Sequence, residues 1–174
     1  MATTDLDENP LTTAHERLAD LYGRPGFMIR RAHQITISVF QAHAGELGLT
    51  NTQFGVLYIL KRYPSIDQVT LAKLLRLDRS TTGTVVATLE SRGLVARDVG
   101  ESDRRRRVLA LTREGETMLL QVQQKSAGTS RTLLAAFTVE ERATFLDLLA
   151  RLVGHFESGE GAAEINPTSD DSAE

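Results

Sequence analysis

Apolar positions change their period several times along the chain, and each change marks an element. From Pro25 to about Ala44, Met28, Ala32, Ile35, Val39 and Ala42 recur at helical spacing while Phe27, Ile37 and Phe40 widen the stripe, so one long helix is predicted. Pro25 opens it at a position where a missing N–H costs nothing. Thr50-Asn51-Thr52-Gln53 has the spacing of a capping box, so the next helix starts there and runs to about Arg62, with Pro64 beyond it. Leu71, Leu74 and Leu75 predict a short helix over Thr70–Leu75. Arg76-Leu77-Asp78 breaks that pattern, and Asp78 or Ser80 can cap a further helix reaching about Arg92, with Val85, Val86 and Leu89 facing inward. Gly93 suits the left-handed residue that ends it. Period two then takes over: Val95 to Val99 and Val108 to Leu111 read as strands around a charged loop from Gly100 to Arg107. Helical spacing returns from Thr112 to about Ala136, and a second capping box at Thr138-Val139-Glu140-Glu141 starts the last helix, to about Phe156. Its Phe145, Leu148, Leu149, Leu152, Val153 and Phe156 span more surface than one neighbour needs.

The expected fold is therefore mainly α with a small β-hairpin wing: a winged helix-turn-helix plus a helical dimerisation region. Residues 50–111 form the DNA-binding module, and residues 11–49 and 112–157 the helical region that pairs with a second chain. Residues 1–10 are expected to be flexible, and 158–174 a disordered acidic tail, since Gly, Ser, Ala, Asp and Glu dominate there. Two recognition helices must be held about 34–36 Å apart to meet successive turns of a duplex, which makes a homodimer a functional requirement.

The DNA-reading chemistry lies on the second helix of the motif and on the wing. Arg79, Ser80, Thr81, Thr82, Thr84 and Thr88 crowd the first turns and outer face of that helix. Small hydroxyl side chains enter a major groove without steric conflict and reach phosphates and base edges. Arg104, Arg105, Arg106 and Arg107 tip the hairpin, and guanidinium groups so placed suit a narrow minor groove of high negative potential.

Charge at first argues the other way, because the chain carries a net −3. Its distribution reverses that reading. From Thr70 to Arg113 ten basic residues face five acidic ones, so this module is positive by five and the remainder negative by eight. A basic module on an acidic body orients a protein on DNA and makes its binding salt-dependent. Cysteine is absent, which excludes disulfides, thiolate metal sites and thiol redox sensing. The four histidines show no metal-ligand spacing, and no metal or cofactor is expected. There is no phosphate-binding Gly loop and no nucleophile elbow, so the chain does not read as an enzyme. With no long apolar run and no signal-peptide pattern, a cytoplasmic protein without membrane contact is expected.

Leu94-Val95, Asp103-Arg104-Arg105, Leu111-Thr112-x-x-Gly115 and Leu49-Thr50-x-x-Gln53-Phe54, in this order and spacing, resemble the MarR family of bacterial transcription regulators. The resemblance spans roughly Pro25 to Phe156. It implies a dimeric winged-helix protein on a pseudo-palindromic double-stranded operator, usually released when a small aromatic molecule binds. The chain departs from many members at Glu101, where they carry Arg, and at Gly83-Thr84, where they carry a basic residue. Base preference here accordingly leans on Arg79, the threonines and the wing.

The resemblance also places ligand pockets between the dimer-forming helices and the winged module. The candidates are Phe27, Arg30, Arg31, Gln34, Ile37, Ser38, Phe54, Leu57, Tyr58 and Arg62. Arginine grips a carboxylate bidentately, so two arginines among aromatic and aliphatic residues fit an aromatic acid. The bland alternative pairs Arg30 and Arg31 with acids of the partner chain or leaves them on a solvated face. The expected function is a repressor released from its operator by a small aromatic acid, such as a hydroxybenzoate, or its thioester. The alternative is a ligand-independent winged-helix regulator or a protein-interaction module.

Overall fold

The computed structural model describes residues 18–99 and 107–158. The expected flexible N-terminus, the acidic tail beyond Ser158 and the wing tip lie outside these described residues. The chain divides into two compact units, one ending at Leu133 and one beginning at Leu134.

In the first unit a short helix α1 (Ala19–Tyr22) leads into the long α2 (Pro25–Ala44), which ends in a 3-10 turn at Gly45–Leu47. Then come α3 (Asn51–Arg62), α4 (Gln68–Leu75), α5 (Arg79–Ser91), the antiparallel strands β1 (Val95–Val99) and β2 (Arg107–Leu111), and α6 (Arg113–Leu133). The predicted capping box of α3 is present: Thr50 Oγ1 accepts from the Gln53 N–H at 3.2 Å, and the Gln53 carboxamide accepts from the Thr50 N–H at 3.0 Å. Such a cap contributes about 1 kcal/mol. Helix α4 starts two residues before the predicted Thr70, because Asp67 caps it by accepting the Thr70 N–H at 2.8 Å. Apolar spacing counted from Leu71 does not register that carboxylate.

The core is assembled from all of these elements except α1. Phe40 and Ala44 of α2, Val56, Leu57 and Leu60 of α3, Leu71 of α4, and Val86 and Leu89 of α5 are buried together. Leu94, Val95 and Leu109 continue the cluster through the wing, and Leu119 and Val122 of α6 close it. Replacing any of these fully buried leucines by Ala costs about 2–5 kcal/mol. The predicted stripe along α2 is not the face that packs on this core: Met28 and Ile35 are 47% and 48% exposed in the single chain, Ala32 and Ala42 are exposed too, and Val39 is half-buried. The core takes the adjoining face, through buried Phe40 and Ala44.

The strands pair from Val95 with Leu111 to Val99 with Arg107. On its other side β2 receives one further bridge, with the Leu109 N–H donating to the Ile66 carbonyl at 2.8 Å. The segment before α4 is thereby fastened to the wing. Gly115 lets α6 approach the chain that leaves α5: a Cβ there would meet the Leu94 carbonyl oxygen at 2.0 Å.

The second unit holds one long helix, α7 (Val139–Glu157), with its predicted capping box between Thr138 and Glu141 formed. Its preceding turn explains why α6 stops short of the predicted Ala136. Arg142 Nε donates to the carbonyls of both Leu134 and Phe137 at 3.1 Å, satisfying a loop that would otherwise continue as helix. Phe137 stacks on Phe145 with ring centres 5.2 Å apart. No residue of α7 is buried in the single chain.

Candidate nucleic-acid interface

Helices α4 and α5 meet at a tight corner. Arg76 ends α4 in the left-handed region, at φ 54°, and the Leu77 N–H returns to the Ala72 carbonyl at 3.0 Å. Asp78 then caps α5, its carboxylate accepting the Thr81 N–H at 2.8 Å and the Thr81 hydroxyl at 2.6 Å. These two hydrogen bonds, the hydroxyl first, hold the Asp78 carboxyl below its ordinary value of 3.8.

Packing decides which side chains of α5 can read DNA. Val86 and Leu89 are buried and Val85 is half-buried, which turns the opposite side outward. Arg79, Ser80, Thr81, Thr84 and Thr88 are exposed, as expected of DNA-reading residues. Thr82 is not. It is fully buried, and its hydroxyl donates to the Asp78 carbonyl at 2.8 Å, so it leaves the DNA-facing set and joins the floor of the helix-turn-helix. Its position one helical step from Val86 puts it on the inward stripe, which a count of hydroxyl residues overlooks. Ala87 and Ser91, not among the predicted residues, complete the exposed face.

Beyond the first turn the hydroxyls on that face are already committed. Thr84 donates to the Ser80 carbonyl at 3.1 Å, Thr88 to the Thr84 carbonyl at 2.9 Å, and Ser91 to the Thr88 carbonyl at 2.8 Å. Two nearby arginines are committed too. Arg92 donates to the carbonyls of Gly48 and Leu47 at 2.6 and 3.0 Å, and Arg97 grips both oxygens of Glu90 at 2.9 Å.

Of the predicted wing arginines, Arg107 is exposed at the start of β2, whereas Arg104, Arg105 and Arg106 fall outside the described residues. At the corner, a cleft of about 230 Å³ is bordered by Lys73, Arg76 and Arg79. Lys73 and Arg76 were not among the predicted contacts because they lie on α4 and at its end, whose spacing marks it only as a packed helix. Phosphate contacts by such flanking cations fix register on a duplex without reading sequence.

The ten ligand candidates fall into two groups. On α2, Phe27 is half-buried and Arg30, Arg31, Gln34, Ile37 and Ser38 are exposed. The Arg30 guanidinium lies 4.9 Å from the centre of the Phe27 ring, Arg31 donates to the Gln34 carboxamide at 3.0 Å, and the Ser38 hydroxyl donates to the Gln34 carbonyl at 3.0 Å. Neither arginine meets a carboxylate among the described residues. On α3, half-buried Phe54 lies between Phe40 and Tyr58, with ring centres 5.9 and 6.1 Å away, and the Arg62 guanidinium sits 5.5 Å from the Tyr58 ring. Leu57 is fully buried in the core and presents no accessible surface, so it is withdrawn as a contact.

The model of the MarR family matches residues 49–106, which run from the residue before the α3 cap into the wing. The transcriptional regulator HosA of Escherichia coli is 31% identical over 126 residues, covering 70% of this chain and 93% of HosA. The transcriptional repressor CouR, solved bound to a 23-mer DNA duplex, superposes with a TM-score of 0.73 at 28% identity, over 78% of this chain and 96% of CouR. BpsR of Bordetella bronchiseptica, whose DNA binding is regulated by 6-hydroxynicotinic acid, superposes with a TM-score of 0.71 at 25% identity, over 76% of this chain and 94% of BpsR.

Proposed function

The chain belongs to the MarR family of transcription regulators, and from that premise we propose that it is a homodimeric repressor, released from a pseudo-palindromic operator by a small aromatic acid. The observation that carries the DNA reading is the exposed hydroxyl face of α5, set between exposed Arg79 at its start and Arg107 on the wing. The family's members are regulators and not enzymes, and no helix among the described residues is long and apolar enough to cross a membrane.

The second copy is called for by uncovered surface. On α7, Leu148, Leu149, Leu152, Val153 and Phe156 are each between 41% and 54% exposed, and Met28, Ile29, Ile35 and Ile37 of α2 are similarly open. Open apolar helix faces of this kind, each taken on its own unit, mark association surfaces. The effector reading rests on Arg30, whose guanidinium lies over the Phe27 ring, and on Arg31 one residue further along α2, neither with an acidic partner among the described residues, and on the aromatic acid that regulates BpsR. A hydroxybenzoate or its thioester has the carboxyl chemistry and the ring to suit them. Release is then a population shift: ligand favours a dimer whose recognition helices no longer match the operator spacing.

The test combines fluorescence anisotropy on the protein's own upstream DNA, a panel of aromatic acids, and light scattering for mass. A dimer that binds this DNA and is released by one acid supports the reading in full. A monomer, or a dimer indifferent to every acid, refutes the corresponding part.

A further inference from the structure

We infer that the outward face of α5 selects A·T base pairs, reading thymine methyl groups and adenine amino groups through Thr84, Ala87 and Thr88. The inference rests on the proposed DNA-reading role of α5 and deepens it.

Three observations combine. First, the exposed face of α5 beyond its first turn carries no guanidinium, ammonium or carboxamide. It consists of Thr84, Ala87, Thr88 and Ser91. Second, Thr84, Thr88 and Ser91 each spend their single hydroxyl proton on a helix carbonyl at 2.8–3.1 Å. Their oxygens are left as acceptors, and their threonine methyls as apolar contacts. Third, the cations best placed to reach a base beside the C-terminal half of α5 are engaged: Arg92 clamps the Leu47 and Gly48 carbonyls, and Arg97 is paired with Glu90.

In the major groove guanine offers only acceptors, N7 and O6, and calls for a donor. Beyond the first turn, which holds Arg79 and Ser80, this face has none to spare. An A·T pair offers the adenine N6 amino group to a hydroxyl acceptor and the thymine C5 methyl to Ala or to a threonine methyl. A C·G pair satisfies the acceptor but brings no methyl and leaves guanine unread. The middle of each half-site is therefore A·T, with guanine confined to the end reached by Arg79.

The experiment starts with selection from a random duplex pool by the purified full-length protein. Deoxyuridine is then substituted for thymidine in the selected half-sites, which deletes only the methyl groups. Enrichment of A·T pairs at the half-site centre is expected, and uracil should weaken wild-type binding by about fourfold per methyl, the worth of one buried methyl group. The variants Thr84→Ser and Thr88→Ser keep the hydroxyl and its backbone hydrogen bond but lose the methyl. They should narrow the thymine-to-uracil ratio, a readout that a change in active fraction does not move. Enrichment of G·C at the centre, or a wild-type protein blind to uracil, overturns the inference while leaving DNA binding in place. A pool from which nothing is enriched overturns the DNA-reading assignment itself.

Discussion

Gly115→Ala sets two physical effects against each other. Gly115 lies in the first turn of α6, and helix propensity alone would make Ala there more stable by about 1 kcal/mol. The structure predicts the opposite. The added Cβ would sit 2.0 Å from the Leu94 carbonyl oxygen and 3.0 Å from its carbon, both backbone atoms, against an ordinary contact of about 3.5–4.0 Å. Relief needs a backbone shift of more than about 1 Å, because no flexible side-chain end can give way. That shift falls on a pinned junction. The Thr112 N–H donates to the same Leu94 oxygen at 3.2 Å, and the Thr112 hydroxyl donates to the Gly93 carbonyl at 2.7 Å. Overpacking in a close-packed interior costs about 1–3 kcal/mol, and the fixed backbone puts this site at the upper end. A net loss of about 2–3 kcal/mol should lower the melting temperature by about 4–12 °C for a protein of this size. Thermal unfolding followed by circular dichroism at fixed protein concentration measures it. A melting temperature equal to or above wild type would refute the close approach and with it the placement of α6 on the recognition-helix turn.

Two further outcomes are expected at the corner of the helix-turn-helix. Because the Asp78 carboxyl is held below 3.8 in the folded chain, its stabilising effect is complete above that value and is lost as pH falls through the folded value; Asp78→Asn, which keeps a capping oxygen but cannot titrate, should flatten that acid limb in urea titrations run down the pH scale, and an unchanged limb would sink the assignment. Thr82→Val should leave DNA sequence preference unaltered and lower stability by about 1 kcal/mol at most, the net worth of one hydrogen bond, since the backbone N–H of residue 82 still satisfies the Asp78 carbonyl at 3.0 Å; a changed preference in selection would return Thr82 to the DNA face.

Much of the architecture was legible because helical spacing, two capping boxes and a basic hairpin each have one economical structural reading. The helix-turn-helix corner was visible in Asp78 and Ser80, either of which could cap the second helix, and packing settles on Asp78 with the helix starting at Arg79. The features that stayed hidden depend on contacts remote in sequence. The early end of α6 comes from Arg142, which takes two loop carbonyls from within the next helix. The Ile66–Leu109 bridge joins residues that no local pattern relates. At the site, composition marked α5 as hydroxyl-rich but could not orient it. Thr82 and Thr84 look alike in sequence, yet one is fully buried and the other exposed, because Val86 and Leu89 fix the rotation of the helix. Ala87 went unnoticed for the converse reason: it carries no polar group, and only its exposure beside Thr84 and Thr88 gives it a part.

The separation of cations from the reading face has a consequence for salt. Lys73, Arg76, Arg79 and Arg107 flank α5, while its centre is uncharged. Counterion release depends on the number of phosphates neutralised, so affinity must fall steeply as salt rises. Methyl contacts and hydroxyl acceptors release no counterions. The ratio of affinities for a selected site and for its uracil-substituted form should therefore stay constant across a salt series in which both affinities drop together. Lys73→Ala should reduce the magnitude of the log–log salt slope by about 1 per contacted phosphate and leave the ratio alone. Thr84→Ser should do the reverse, narrowing the ratio at an unchanged slope. Anisotropy titrations at several salt concentrations read both quantities from the same data. A ratio that collapses with salt would mean that discrimination rides on charge, and that the uncharged face of α5 is not what reads the sequence.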